Sequence, residues 1–263
     1  MAGARVSSTR GRHALRSRAL ADELIRCAAV EPGDLVLDLG AGDGILTAAL
    51  RRAGARVVAV ELDADLAAGL RRRFDDVRVI HGDATRIELP REPFAVVANL
   101  PFAFGTAILR RLLDDPRVPT RRVDAIVEWG LAEKRARVWP STQLSCHWGA
   151  WHELSLVRRV PRAAFAPPPS VDAAVFRAVR RPQPLVPVGD ADAYASLLRL
   201  GFSSDAPLRR RIPRRVIHRL AHELGFDPAA CARDLDAAQW AALHRALASV
   251  RRGSYSPRRH EPL

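Results

Sequence analysis

Leu35-Val-Leu-Asp-Leu-Gly-Ala-Gly-Asp-Gly44 decides the fold. Leu35 to Leu39 is a short apolar run broken by one carboxylate, which predicts a strand buried on both faces. The glycines after it predict a tight turn, and Ile45 to Arg52 has the spacing of a helix. In a strand–turn–helix unit of this kind the backbone can come close to a ligand at the carboxyl edge of a parallel sheet, because glycine carries no Cβ.

Outward from this unit, short apolar runs alternate with helical segments as far as about Arg180. The strand candidates are Leu35 to Leu39, Arg56 to Leu62, Val77 to His81, Phe94 to Ala98, Val123 to Glu128, Glu153 to Val157 and Ala173 to Val179. Ala64 to Phe74 and Thr106 to Leu113 read as further helices. The alternation predicts a sheet wrapped by helices, closed by an antiparallel pair, since only Arg158 to Asp172 separates the last two strands. Seven strands in this order suggest the methyltransferase-type variant of the doubly wound fold. Arg180-Arg-Pro-Gln-Pro-Leu-Val-Pro-Val-Gly189 reads as a linker, which divides the chain into residues 1–181 and 182–263. In the second part Asp190 to Leu200, Ile212 to Leu224, Pro228 to Leu235 and Asp236 to Val250 carry helical spacing, and a basic tail follows.

A dinucleotide site would want glycine or alanine at position 45, and Ile45 stands there. A phosphate-binding loop would need a lysine, which the turn lacks. What fits is a nucleoside-sized ligand without phosphates, and S-adenosylmethionine meets that description. Gly40 and Gly42 would let the backbone approach it, with Asp38 at the end of the strand before them. Glu61, ending the second strand, is placed to accept both ribose hydroxyls, and Asp83, followed by Ala84 after the third, to accept the exocyclic amine of adenine.

The fourth strand ends in Asn99-Leu-Pro-Phe102. The exocyclic nitrogen of a nucleobase is a poor nucleophile because its lone pair is delocalised into the ring. The Asn99 side-chain oxygen can accept one amine hydrogen and the Leu100 carbonyl the other, with Pro101 stiffening the turn that presents it. Both bonds favour a tetrahedral nitrogen, so neither a metal nor a strong base is required. Phe102 offers a face on which an extruded base stacks for about 1–3 kcal/mol, comparable with the cost of flipping it.

These residues resemble the rRNA adenine N6-methyltransferases, the family of the Erm macrolide-resistance enzymes and the KsgA/Dim1 dimethyltransferases. The resemblance spans roughly residues 10 to 181 and includes Val160-Pro-Arg-Ala-Ala-Phe-Ala-Pro-Pro-Pro-Ser-Val-Asp172, which is similar to the family's late proline-rich motif. It implies a Rossmann-like class I methyltransferase α/β fold with a small C-terminal helical domain that binds RNA. Phe165 would be a second aromatic against the target base. Arg12-His13-Ala14-Leu15 stands where the family has Ser-Gln-Asn-Phe, so by register His13 and Leu15 would hold the cofactor. Asp38 replaces a common glutamate and Phe102 a common tyrosine. The wording of residues 94–110 and the helical tail resemble the Erm branch, which implies methylation of one adenine in the peptidyl-transferase loop of 23S rRNA and resistance to macrolides, lincosamides and streptogramin B. A 16S rRNA dimethyltransferase, a DNA adenine methyltransferase and a non-catalytic RNA or transcription factor on the same fold are the alternatives.

Composition agrees with an RNA partner: 42 basic residues against 29 acidic ones give a formal charge of +13 over 263 residues, and Lys134 is the only lysine. Phosphate contacts are expected from some of Arg71 to Arg73, Arg121, Arg122, Arg209, Arg210, Arg211, Arg214 and Arg215. Cys27, Cys146 and Cys231 support neither a disulfide framework nor a zinc knuckle, and Cys146-His-Trp-Gly-Ala-Trp-His152 reads as core rather than metal site. No run approaches the ~18 apolar residues of a membrane span. Residues 4 to 20, arginine-rich and free of acids, read equally as an organelle transit peptide or as a basic arm on RNA. The expectation is a cytoplasmic monomer without metal.

Overall fold

In the computed structural model, residues 13–253 are described. Most of the expected basic arm (4–12) and the end of the basic tail (254–263) lie outside the described residues. The chain divides into two compact units, one of Met1–Ala136 with His152–Arg181 and one of Arg137–Trp151 with the chain from Pro182 onward. One break between the units falls at 181/182. Residues 137–151, assigned by the linear reading to the first part, belong to the second unit.

The first unit is a seven-stranded sheet of β1 (Leu35–Leu39), β2 (Arg56–Glu61), β3 (Arg78–His81), β4 (Phe94–Asn99), β5 (Thr120–Glu128), β6 (His152–Val160) and β7 (Ala173–Arg180). Their order is β3-β2-β1-β4-β5-β7-β6. The first five strands pair in parallel, and β7 runs antiparallel to both β5 and β6. The order reverses between β1 and β4, and a crevice opens at such a switch point beyond the carboxyl ends of the two strands. The glycine turn leaves β1 at that edge and the Asn99 tetrapeptide leaves β4 beside it.

All five residues of β1 are buried. Helices α1 (Arg18–Cys27), α2 (Ile45–Arg52) and α3 (Ala64–Arg73) bury an apolar stripe on one core with Val36, Val57 and Val97 of the sheet. Leu50 and Leu70, at 0% and 2% exposure, each contribute about 1.5–3 kcal/mol there. Ser17 caps α1 through the Leu20 N–H, and Asp63 caps α3 through the N–H groups of Asp65 and Leu66. Helix α4 (Gly105–Leu113) follows the tetrapeptide, and α5 (Trp129–Ala136), not among the expected helices, follows β5. A short antiparallel ribbon joins Ala14–Leu15 to Phe165–Ala166.

The second unit contains α6 (Gln143–Gly149), α7 (Ala191–Gly201), α8 (Arg214–Leu224) and α9 (Ala237–Gly253) around Trp151, Tyr194 and Trp240. Cys146, Trp148 and Trp151 are buried, the Tyr194 hydroxyl donates to the Cys146 carbonyl and the Trp151 indole to the Val186 carbonyl. The Cys146–Trp151 stretch is thus core, as its composition predicts. Pro228 to Leu235 is not the expected helix: it is a turn ending in a single 3-10 turn at Ala232–Asp234. Asp227 accepts the Ala229 N–H and Asp234 the Cys231 N–H, so short carboxylates take the donors that a helix would have used.

Candidate active site

A cavity of about 280 Å³ opens at the carboxyl edge, lined by the glycine turn, the ends of β2 and β4, the loop after β3 and the tetrapeptide. Its floor is assembled around one carboxylate. Glu61 is buried, its Oε2 accepting the Gly42 N–H at 2.8 Å and its Oε1 the Asp63 N–H at 2.9 Å. Both oxygens are thus held in place by main-chain donors at the cavity. Gly40 adopts φ +80°, and a Cβ there would meet Pro101 Cδ at 3.3 Å. The glycine turn and the tetrapeptide therefore approach closely, and a side chain at position 40 would crowd them.

The tetrapeptide is held from the β5 side: the Leu100 N–H donates to the Ile126 carbonyl at 3.0 Å, and the Leu100 side chain is buried. The Pro101 carbonyl accepts the Phe104 N–H, closing a 3-10 turn of Phe102–Phe104 that leads into α4. Asn99 donates through Nδ2 to the His13 carbonyl at 2.8 Å. A carbonyl can only accept, so this bond fixes which way the amide faces. The other end, Oδ1, is buried and has no hydrogen-bond partner. An orphaned acceptor in a cavity wall is a cost to the fold that a bound donor relieves.

His13, Gly40, Gly42, Glu61, Asp83, Ala84, Asn99, Leu100, Pro101 and Phe102 all line this cavity. Leu15, Asp38 and Phe165 do not. Leu15 is in the core, paired in the ribbon with Phe165. Phe165 is itself buried and meets Phe102 edge-on, centroids 6.2 Å apart, so it supports that ring from behind the wall. Asp38 is sealed beneath the glycine turn, where its Oδ2 accepts the Thr47 hydroxyl at 2.7 Å and its Oδ1 is unpartnered. Burial pushes its carboxyl up to about 7 against the opposing Thr47 bonds, and the charges of Glu61 and Asp43 push the same way. Asp83 is held low, first by the Thr85 hydroxyl and then by the Thr85 N–H, so it presents a carboxylate.

Two arginines brace the loops of the site, a role that the sequence pattern does not announce. Arg111 of α4 donates to the carbonyls of Thr85 and Ile87 and so ties the Asp83 loop to the helix behind the tetrapeptide. Arg73, counted among the expected phosphate contacts, donates to the Asp43 carbonyl at 2.8 Å and braces the glycine turn. Other expected contacts are also engaged within the first unit: Arg71 with the Val79 carbonyl, Arg121 with Asp34, and Arg122 with buried Asp124 and the Cys27 carbonyl. In the second unit Arg211 bonds Ser204 and Arg214 bonds His218. Arg72, Arg209, Arg210 and Arg215 are exposed and have no ion pair among the described residues. No group of three or more His, Cys, Asp or Glu among the described residues is placed to hold a metal, and no helix there is long and apolar enough to cross a membrane.

The model of the ribosomal RNA adenine dimethylase family matches residues 5–248. The mycinamicin-resistance protein MyrB of Micromonospora griseorubida is 37% identical, with 91% of this chain and 80% of that one covered. Ribosomal RNA small subunit methyltransferase A of a Synechococcus strain is 35% identical, covering 89% of each. The crystal structure of 23S rRNA methyltransferase ErmE superposes with a TM-score of 0.78 at 28% identity, over 89% of this chain and 99% of that one. The chain belongs to the ribosomal RNA adenine dimethylase family and is an rRNA adenine N6-methyltransferase on a class I methyltransferase fold.

Proposed function

We propose that the chain transfers a methyl group from S-adenosylmethionine to N6 of an adenine in the peptidyl-transferase loop of 23S rRNA, and so confers resistance to macrolides, lincosamides and streptogramin B. The observation that carries the chemistry is the orphaned Oδ1 of Asn99, an acceptor fixed in orientation and left without a donor at the cavity wall.

The residues present fit this cofactor. Glu61, held at the cavity by its main-chain bonds, would take the ribose hydroxyls, Asp83 the adenine amine, and the Gly40–Gly42 turn the close approach of the main chain. When bound, the cofactor supplies an electrophilic methyl group on a sulfonium. The chain's own residues supply orientation. Asn99 Oδ1 and the Leu100 carbonyl accept the two amine hydrogens and draw the nitrogen lone pair out of conjugation, while Phe102 holds the extruded base by stacking. Asn99, Leu100, Pro101 and Phe102 form the catalytic set in this reading. Gly40, Gly42, Glu61, Asp83 and Ala84 form the cofactor wall, with Asp38, Leu15 and Phe165 acting from behind it.

Similarity to ErmE supports the 23S target, and similarity to the mycinamicin-resistance protein MyrB supports the resistance. The second reading, methylation of small-subunit rRNA in ribosome assembly, rests on the 35% identity to methyltransferase A over 89% of both chains. In either case the protein works as a cytoplasmic monomer, and the helical unit contributes phosphate contacts through Arg209, Arg210 and Arg215. Incubation with labelled cofactor and naked 23S rRNA, naked 16S rRNA or assembled subunits, followed by mapping of the modified nucleotide, tests the assignment and counts the methyls. Label confined to 16S rRNA would refute the 23S target.

A further inference from the structure

Residues 13–16 and 164–167 are separated by about 150 positions and are zipped together at every step. The Arg16 N–H donates to the Ala164 carbonyl at 2.8 Å, Leu15 pairs with Phe165, Ala14 pairs with Ala166, and His13 Nδ1 lies 2.9 Å from the Pro167 carbonyl. Since that carbonyl only accepts, Nδ1 carries the proton and the imidazole is hooked in one orientation. At the hooked end two contacts reach the tetrapeptide. The His13 carbonyl holds Asn99 Nδ2, and the imidazole lies 5.3 Å from the Phe102 ring, which in turn meets Phe165 edge-on.

We propose that His13 is a positioning residue for methyl transfer, not a cofactor ligand: its main chain fixes the Asn99 amide and its ring, anchored on Pro167, fixes the plane of Phe102. The segment thus sets both groups that hold the target base, one for the amine and one for the ring. The inference rests on the reading of Asn99 as the amine acceptor given above. Without the hook, the His13 carbonyl and the Asn99 amide lose a common anchor, and the cost falls on orientation. Misplacement of a reacting group by about 1 Å costs on the order of 100-fold in rate.

The test uses the full chain with an equimolar mixture of unmethylated 23S and 16S rRNA. Three quantities are read: the single-turnover rate with labelled cofactor, the Kd for S-adenosylhomocysteine by calorimetry, and the thermal midpoint. His13→Ala should lower the rate by about 10- to 100-fold and leave the Kd within about twofold. His13→Asn places an amide donor near the position of Nδ1 and should recover most of the rate, because it keeps the hook to Pro167. A residue that only stabilised the fold would move the midpoint and would show no such rescue. Weaker S-adenosylhomocysteine binding by His13→Ala, with the rate constant at saturation unchanged, would make His13 a cofactor ligand and overturn the proposal. Wild-type rates for His13→Ala, or equal losses for Ala and Asn, would overturn it as well. Asn99→Ala run in parallel keeps the two ideas separate: an active Asn99 variant would sink the amine-acceptor reading itself, whatever the His13 series gives.

Discussion

Asn99→Ala should abolish most of the activity while leaving the fold as stable as before, or more so. The native amide makes one hydrogen bond, Nδ2 to the His13 carbonyl at 2.8 Å, and buries one acceptor with no partner. A bond of this kind contributes about 1 kcal/mol net, whereas an unsatisfied buried acceptor costs about 1–3 kcal/mol. Alanine forfeits the first and removes the second, so the expected change in stability runs from a loss of roughly 0.5 to a gain of roughly 2 kcal/mol. At about 2–4 °C per kcal/mol for a chain of this length, the thermal midpoint moves by a few degrees at most in the unfavourable direction. Catalysis responds differently. As the nitrogen acquires positive charge, its bond to Oδ1 becomes charge-assisted and is worth about 1.5–3 kcal/mol, which converts to a rate loss of about 10- to 150-fold. Calorimetry of the free protein and a single-turnover methylation assay read the two effects. A variant that turns over at the wild-type rate, or one whose midpoint collapses by more than about 10 °C, would show Asn99 to be a structural strut.

Gly44→Ala acts on the cofactor turn from its packing side. Gly44 sits at φ +81°, and a Cβ there would fall 2.6 Å from Leu70 Cδ2 and 2.9 Å from Phe74 Cε2, both on buried side chains that would have to shift within the core. Left-handed strain and overpacking together predict a loss of about 3 kcal/mol and a midpoint lower by roughly 6–12 °C; an unchanged melting curve would contradict the packing. Asp38 carries a pH signature. Its folded value of about 7 lies above its ordinary 3.8, so the native state binds the extra proton: the stabilisation is complete below about 3.8 and is lost as pH rises through about 7. Asp38→Asn should therefore gain stability over the wild type between those limits and hold the gain at higher pH. A wild-type-minus-variant difference that stays flat from pH 4 to 8 would refute the assignment. For the RNA, replacing Arg209, Arg210 and Arg215 by serine should weaken binding and reduce the slope of log K against log salt by up to about three, with an unaltered slope counting against phosphate contacts there.

The readable parts of this protein were those whose chemistry is local. A five-residue apolar run before Gly40 and Gly42 is a strand and a turn wherever it occurs, and Glu61, Asp83 and Asn99 were legible because strand ends at one edge of a parallel sheet converge. Helix α6 left a faint trace, a capping box between Thr142 and Ser145, but Ser145, Cys146, Trp148 and Gly149 are all buried, and Gln143 and His147 alone are too short a polar face to set a period. Its transfer to the second unit depends on partners such as Leu235, whose carbonyl accepts from Ser141 across 94 positions, and no linear pattern carries that information. The arginines misled for a related reason. Charge announces a polyanion, yet Arg73, Arg111 and Arg122 are engaged with carbonyls or a buried carboxylate of their own unit, and only the fold separates these from residues left for phosphate.

The same logic applies to His13, expected at the cofactor by register, and to Asp38, expected there from its place before the glycine turn: His13 lines the cavity and Asp38 lies beneath it. Register along a motif fixes where a main chain runs; it does not fix what a side chain touches. With His13 in this strap, the ring finds the Pro167 carbonyl and the carbonyl finds Asn99. Asp38 is followed by a turn so close to the sheet that its carboxyl is closed off, and Thr47 is the donor within reach. In both cases the bond that is made is to a neighbouring residue of the chain. A substitution at either position should therefore change how well the site is ordered before it changes what the site binds, and that order of effects is open to measurement.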